Sequence, residues 1–282
     1  MKATIQDLVI TIFGAISSLL TAVILFWIES HWNLSIYSFM LWFVIPVGAI
    51  GSGFVAAGGY YLGSILFNHK PKGTILLNMV AISIGTYFLI QYLDYLFLEI
   101  EGQRIADAIS FWSYWDVSIS HQSVQFSVKG RSVGDAIDLG NMGYVYACLQ
   151  VIGFAIGGFA VYGYLASQVY CDKCSRYFSK KGVAARYTGD SDALQNFLKK
   201  LAVLLEESKL SEIISLHANE GGSKVFDAKQ HHLQTQIEIK KCKNCNKHHL
   251  KFSVSKKNKD DWKELDELSF STFSDLELTP IA

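Results

Sequence analysis

The sequence predicts an α-helical polytopic membrane protein: four transmembrane helices followed by a small cytoplasmic α+β domain. Three observations predict it. Four apolar runs, residues 8–28, 37–67, 74–98 and 142–166, each reach the ~20 residues that carry a helix across a bilayer. Past them, Leu233, Thr235, Ile237 and Ile239, then Leu250, Phe252 and Val254, alternate with polar residues on either side of a Cys-x-x-Cys step. That is the pattern of a strand, a turn and a returning strand. Upstream of this hairpin, Leu194, Phe197, Leu198, Leu201, Leu204 and Leu205 recur at helical spacing.

Composition agrees with this division. Half of the 282 residues are hydrophobic and only 18% are charged. The net charge of zero conceals an asymmetry. Residues 1–166 carry 6 Lys/Arg and 9 Asp/Glu, residues 167–259 carry 18 and 9, and residues 260–282 carry 1 and 7. We therefore read residues 1–166 as the membrane domain, 167–259 as the cytoplasmic domain with a helical insertion at 187–220, and 260–282 as an acidic tail.

The first run, Leu8–Ile28, has no basic stretch ahead of it beyond Lys2 and no small-residue cleavage pattern after it. It reads as a retained transmembrane helix and not a signal peptide. The second run is longer than a bilayer requires, and Pro46 within it predicts a kink, because proline lacks the backbone donor. Asp94 lies 20 residues into the third run, about 30 Å along a helix. It reads as an interfacial carboxylate, against the sharper option of an ion or proton site in the bundle. In the loop at 99–141, the residues from Arg104 to Trp115 suggest an interfacial helix. Alternation at Trp115, Val117 and Ile119, and again at Val124, Phe126 and Val128, suggests strands and a small hairpin. Trp112, Tyr114 and Trp115 suit a headgroup-level aromatic belt.

Four spans place both termini on one side of the membrane. Lys70 and Lys72 fill the second loop, and Lys173, Arg176, Lys180 and Lys181 follow the fourth span, whereas the 99–141 loop is net acidic. The positive-inside rule then makes both termini cytoplasmic in a multi-pass protein of the cell membrane. Glycines four apart, Gly59 with Gly63 and Gly153 with Gly157, create grooves that admit a neighbouring backbone. The neighbour is either another helix of one bundle or a second subunit of a homo-oligomer.

Cys171 and Cys174 form one Cys-x-x-Cys pair; Cys242 and Cys245 form another. A cytoplasmic, reducing location keeps such thiols free, and the spacing is that of a metal site, not a disulfide framework. The two turns and the hairpin resemble the zinc-ribbon class. That resemblance implies one structural zinc held by Cys171, Cys174, Cys242 and Cys245. This sequence lacks the glycine that many ribbons place after the second cysteine of each pair. Iron in the same ligands and a redox dithiol are the competing readings, and His248 or His249 could replace one cysteine. Four thiolates leave no open position for catalytic water, and no hydrolase triad, phosphate loop or nucleotide fingerprint is present, so an enzyme is not expected.

Eight lysines lie within Lys240–Lys259. Beneath a bilayer they could touch anionic headgroups. A nucleic-acid platform has little support, since only Phe252 is interleaved among them. The acidic tail either folds onto these lysines or recruits a cytoplasmic protein. Two functions follow: a membrane-anchored interaction or regulatory module, or an oligomeric channel or membrane-permeabilising effector gated by the cytoplasmic half. The first is preferred, because the spans show no polar conducting stripe.

Overall fold

The structure, a computed structural model, describes residues 2–274 except positions 33, 43, 101, 122, 125, 126, 129, 130, 133–136, 208, 228, 229, 259 and 260. The chain divides into two compact units, Met1–Ser167 and Gln168–Ala282.

The first unit is built on α1 (Lys2–Trp32), α2 (Val47–Leu66), α3 (Gly73–Phe97) and α6 (Met142–Ala166). All four are long and apolar enough to cross a membrane. Between α3 and α6 run β1 (Glu99–Ile100), β2 (Gln103–Arg104), α4 (Ile105–Ala108), α5 (Phe111–Ser120), β3 (Ser123–Val124), β4 (Ser127–Val128), β5 (Arg131–Ser132) and β6 (Ile137–Asp138). α2 packs on α1 and α6, and α3 packs on the same two helices. Ile10 and Ala22 of α1, Ala56 and Tyr60 of α2, Met79 and Tyr87 of α3, and Phe154 and Leu165 of α6 are almost wholly buried. Leu8, Ile16, Leu20 and Ile24 of α1 and Leu77 of α3 are exposed on the outer faces of the helices.

The glycine grooves are filled within the chain. A methyl group at Gly59 would strike the Phe13 carbonyl of α1; one at Gly157 would strike the backbone of Ile50 and Phe54 on α2. Gly63 faces Ile10 and Phe13, and Gly153 faces Ala49 and Pro46. Close backbone approach lets dispersion hold helices together where the hydrophobic effect is absent. Polar side chains add to it: Ser18 and Thr86 hydroxyls lie 2.7 Å apart, and Gln91 Nε2 donates to the Tyr37 hydroxyl at 3.0 Å.

Three sequence expectations change in this unit. The second run is not one helix over 37–67: Ile36–Ser38 forms a 3-10 turn, Leu41 bridges Ile45, and helix begins only at Val47. Pro46 caps α2 and does not kink it, because the residue before a proline is driven out of helical backbone while proline itself suits a helix start. Trp115, Val117 and Ile119 lie on α5, not on a strand. Ser110 caps that helix, accepting from Ser113 N at 3.3 Å, and the rings of Phe111 and Trp115 pack on Tyr95 and Phe88 of α3. Three alternating residues are too few to separate the two periods. β4 and β5 form a hairpin nested beside the β3–β6 pair; Phe126 lies outside the described residues. Asp94 is half-buried in the last turn of α3.

The second unit comprises β7 (Tyr170–Cys171), β8 (Arg176–Tyr177), β9 (Ser179–Thr188), α7 (Ser191–Glu206), α8 (Leu210–Glu220), β10 (Leu233–Lys241), β11 (His248–Asn258), β12 (Asp261–Glu264) and β13 (Phe270–Ser274). The main sheet runs β12–β11–β10–β9, with β13 also on β11 and every pairing antiparallel. Asp190 caps α7, accepting from the amides of Asp192 (2.8 Å) and Ala193 (3.0 Å). The expected cover of the sheet is present: Leu194, Phe197, Leu201, Ile213 and Ile214 pack on Ile237, Ile239, Leu250, Phe252 and Val254.

β9 was not legible in the sequence, and the insertion therefore starts later than residue 187. Its inward positions include Ala184 and the buried Arg186, which disguise the alternation. Arg186 Nη2 donates to the Ala218 carbonyl in the last turn of α8 (3.4 Å), where a cation meets the negative end of the helix. The tail is also ordered in part. Asp261–Glu264 and Phe270–Ser274 are edge strands, and Glu264 pairs with Lys251 at 3.1 Å. Residues 275–282 lie outside the described residues.

Candidate metal centre

Two turns of the same design carry the cysteines. In the first, Cys171 pairs with Arg176 across the β7–β8 hairpin. In the second, the Cys242 amide donates to the Lys247 carbonyl at 2.8 Å, at the mouth of the β10–β11 hairpin. The residue after each second cysteine takes a left-handed backbone: Ser175 at φ 50° and Asn246 at φ 57°. Glycine takes this conformation most readily, yet serine and asparagine hold it here. Asparagine tolerates it better than serine, because its short polar side chain can bond locally.

The four sulfur atoms of Cys171, Cys174, Cys242 and Cys245 all lie within 4.8 Å of one another. Cys171 and Cys245 come from different turns and are 3.6 Å apart, well beyond the ~2.05 Å of a disulfide bond. Cys171 and Cys242 are buried, while Cys174 and Cys245 are half-buried. The four thiols could together hold one metal ion. His248 and His249 begin β11 and are buried, outside the cysteine cluster.

The electrostatics of the cluster favour a cation. Burial pushes the Cys171 thiol up. The neighbouring Cys245 thiol, and then burial, push Cys174 up to about 12. Burial also acts upward on Cys242, but the amides of Cys245 and Asn244 and the adjacent thiols outweigh it and bring it down to about 7. One thiolate is thus stabilised by the turn itself. Each further thiolate in so small a volume opposes the first until a positive ion offsets the repulsion.

The two Cys-x-x-Cys pairs singled out in the sequence are the residues that the fold brings together. The sequence did not identify Ser175 and Asn246, whose importance lies in backbone geometry and leaves no side-chain signature. Compared with known proteins, the chain matches no family model, and no curated protein or solved structure matches it.

Proposed function

We propose that this chain is an integral membrane protein that acts as a membrane-anchored interaction or regulatory module through a cytoplasmic zinc ribbon. The observation that carries this reading is the closure of the cysteine cluster: every ligand position is a protein thiol, so the ion would be structural and the surfaces around it would do the work. Zinc suits the cluster. A tetrahedral ion with Zn–S bonds of about 2.3 Å sets its sulfurs about 3.8 Å apart, against 3.6 Å between Cys171 and Cys245. The surface offered to a cytoplasmic protein is the sheet face opposite α7 and α8, where Gln234, Gln236, Glu238 and Lys240 are half-exposed. In the membrane unit the glycine faces pack within the chain and aromatic side chains fill the core, which supports an anchor over a pore. Purification in mild detergent, with mass measurement and partner identification, tests the proposal. A monomer or dimer carrying a cytoplasmic protein is expected. A higher ring that leaks ions from liposomes would overturn it in favour of a channel.

A further inference from the structure

The fold redistributes the basic side chains of the second unit. In sequence they look like one run, Lys240–Lys259. β11 separates the ends of that run: Lys247 precedes its first residue, while Lys256 and Lys257 lie near its last, about 30 Å away along the strand. Lys251 pairs with Glu264, and Lys257 Nζ lies 4.3 Å above the Phe226 ring. Lys259 lies outside the described residues.

The cysteine end gains cations from elsewhere in the chain. Lys173 and Arg176 stand in the first turn, Lys243 stands in the second, and Lys180 and Lys181 stand at the adjoining end of β9, where Lys180 is opposite Lys240. All five are exposed. Two stretches separated by more than fifty residues thus build one basic end, and the cysteine cluster fixes its shape. Glu238, the nearest carboxylate on β10, pairs with Lys240 at 3.7 Å; Asp172 is the acidic residue of the turns.

We propose that this basic end docks on anionic lipid headgroups, through Lys173, Arg176, Lys180, Lys181 and Lys243. The proposal rests on the membrane reading above. Charge complementarity is the first argument: five exposed cations suit a sheet of phosphates, each adding to attraction near the surface. Tether length is the second. Cys171 follows Ala166, the last residue of α6, by five positions, a span of about 18 Å at full extension. The third is the ring pair of Tyr170 and Tyr177, centroids 5.0 Å apart and half-exposed in the same hairpin, since tyrosine favours the headgroup layer.

The test uses the full-length, metal-loaded chain in nanodiscs of phosphatidylcholine alone or mixed equally with phosphatidylglycerol. Amide hydrogen exchange is read over residues 170–181 and 240–247. Exchange in the anionic discs should slow by about tenfold or more and recover in high salt. The triple variant Lys180→Glu, Lys181→Glu, Lys243→Glu should abolish the difference while keeping its metal, whereas Lys256→Glu should keep it. Equal exchange in both lipids, with the metal present, overturns headgroup docking and leaves the membrane anchor standing. Failure of the chain to enter the discs removes the membrane reading itself. Protection that arises only on adding single-stranded RNA overturns the proposal in favour of nucleic acid.

Discussion

Ser175 and Asn246 hold equivalent places in the two cysteine turns, each directly after the second cysteine and each at positive φ, 50° and 57°. A left-handed backbone costs an ordinary L-residue roughly 1–2 kcal/mol, and asparagine less. Ser175→Gly should therefore stabilise the second unit by about 0.5–1 kcal/mol, part of the gain being lost to the freer unfolded chain. Asn246→Gly should be close to neutral and Asn246→Val clearly destabilising. Denaturant unfolding of the metal-loaded protein, followed by thiol accessibility, checks the order. A stable Asn246→Val protein would show that the turn has another way to close.

Loss of one cysteine should be felt by the whole second unit. Cys242 is fully buried and joins the two turns through the cluster. Cys242→Ser should release the ion and expose the core around Phe252, since metal binding and folding are coupled. Cys148→Ser, on the exposed side of α6, should leave metal content unchanged. Metal-to-protein ratio by elemental analysis is the readout, and a full complement in Cys242→Ser would remove that residue from the ligand set.

Acid should weaken the second unit through His217. Thr235 Oγ1 donates to the Gly221 carbonyl at 3.1 Å, so the His217 Nε2–H must donate to Thr235 Oγ1, also 3.1 Å away. Burial, helped by the Arg186 charge and opposed by the backbone of Thr235, lowers the imidazole from 6.5 to about 4. The unfolded chain therefore takes up the proton first. The contribution is intact above about pH 6.5 and is lost as pH falls through 4, to a total of roughly 3 kcal/mol. His249, lowered mainly by burial, acts in the same sense. His217→Gln should flatten the fall in stability across that window relative to the parent protein. An unchanged slope would assign the acid sensitivity elsewhere.

Two glycines of α2 and α6 should behave oppositely on enlargement. Gly157 faces the α2 backbone, whereas a Cβ at Gly51 would have open space around it, with no atom within 4 Å. Gly157→Leu should destabilise the bundle by more than about 3 kcal/mol, because backbone cannot move aside as a side chain can. Gly51→Leu should be tolerated. Thermal stability in detergent, read by size-exclusion chromatography, separates the two.

The orientation is tested by cysteine labelling in intact cells. Ser123→Cys, between α5 and α6, should react with an impermeant reagent from outside, and Ser223→Cys, in the second unit, should not. The reverse pattern would turn the protein over in the membrane and remove the cytoplasmic assignment of the ribbon.

Periodicity by itself determined much of this protein. Residues 74–98 and 142–166 are apolar over a bilayer's width and match α3 and α6 within a residue. The alternation around Cys242 and Cys245 places β10 and β11, and the two Cys-x-x-Cys steps identify the four clustered thiols. These features were legible because each is set by local chemistry: a hydrophobic period or a ligand spacing. Tertiary structure alone decided the rest. Helix α2 starts at Val47 although the apolar run begins ten residues earlier, because composition does not encode where backbone leaves the helix. β9 is a strand through its pairing with β10, with Arg186 buried where α8 ends. Asp261–Glu264 and Phe270–Ser274 of the acidic tail become edge strands because β11 offers them unpaired backbone. The glycine grooves found partners inside the chain, and five cations from two distant stretches met at the cysteine end. Such outcomes depend on contacts between residues far apart in sequence, which no local pattern records.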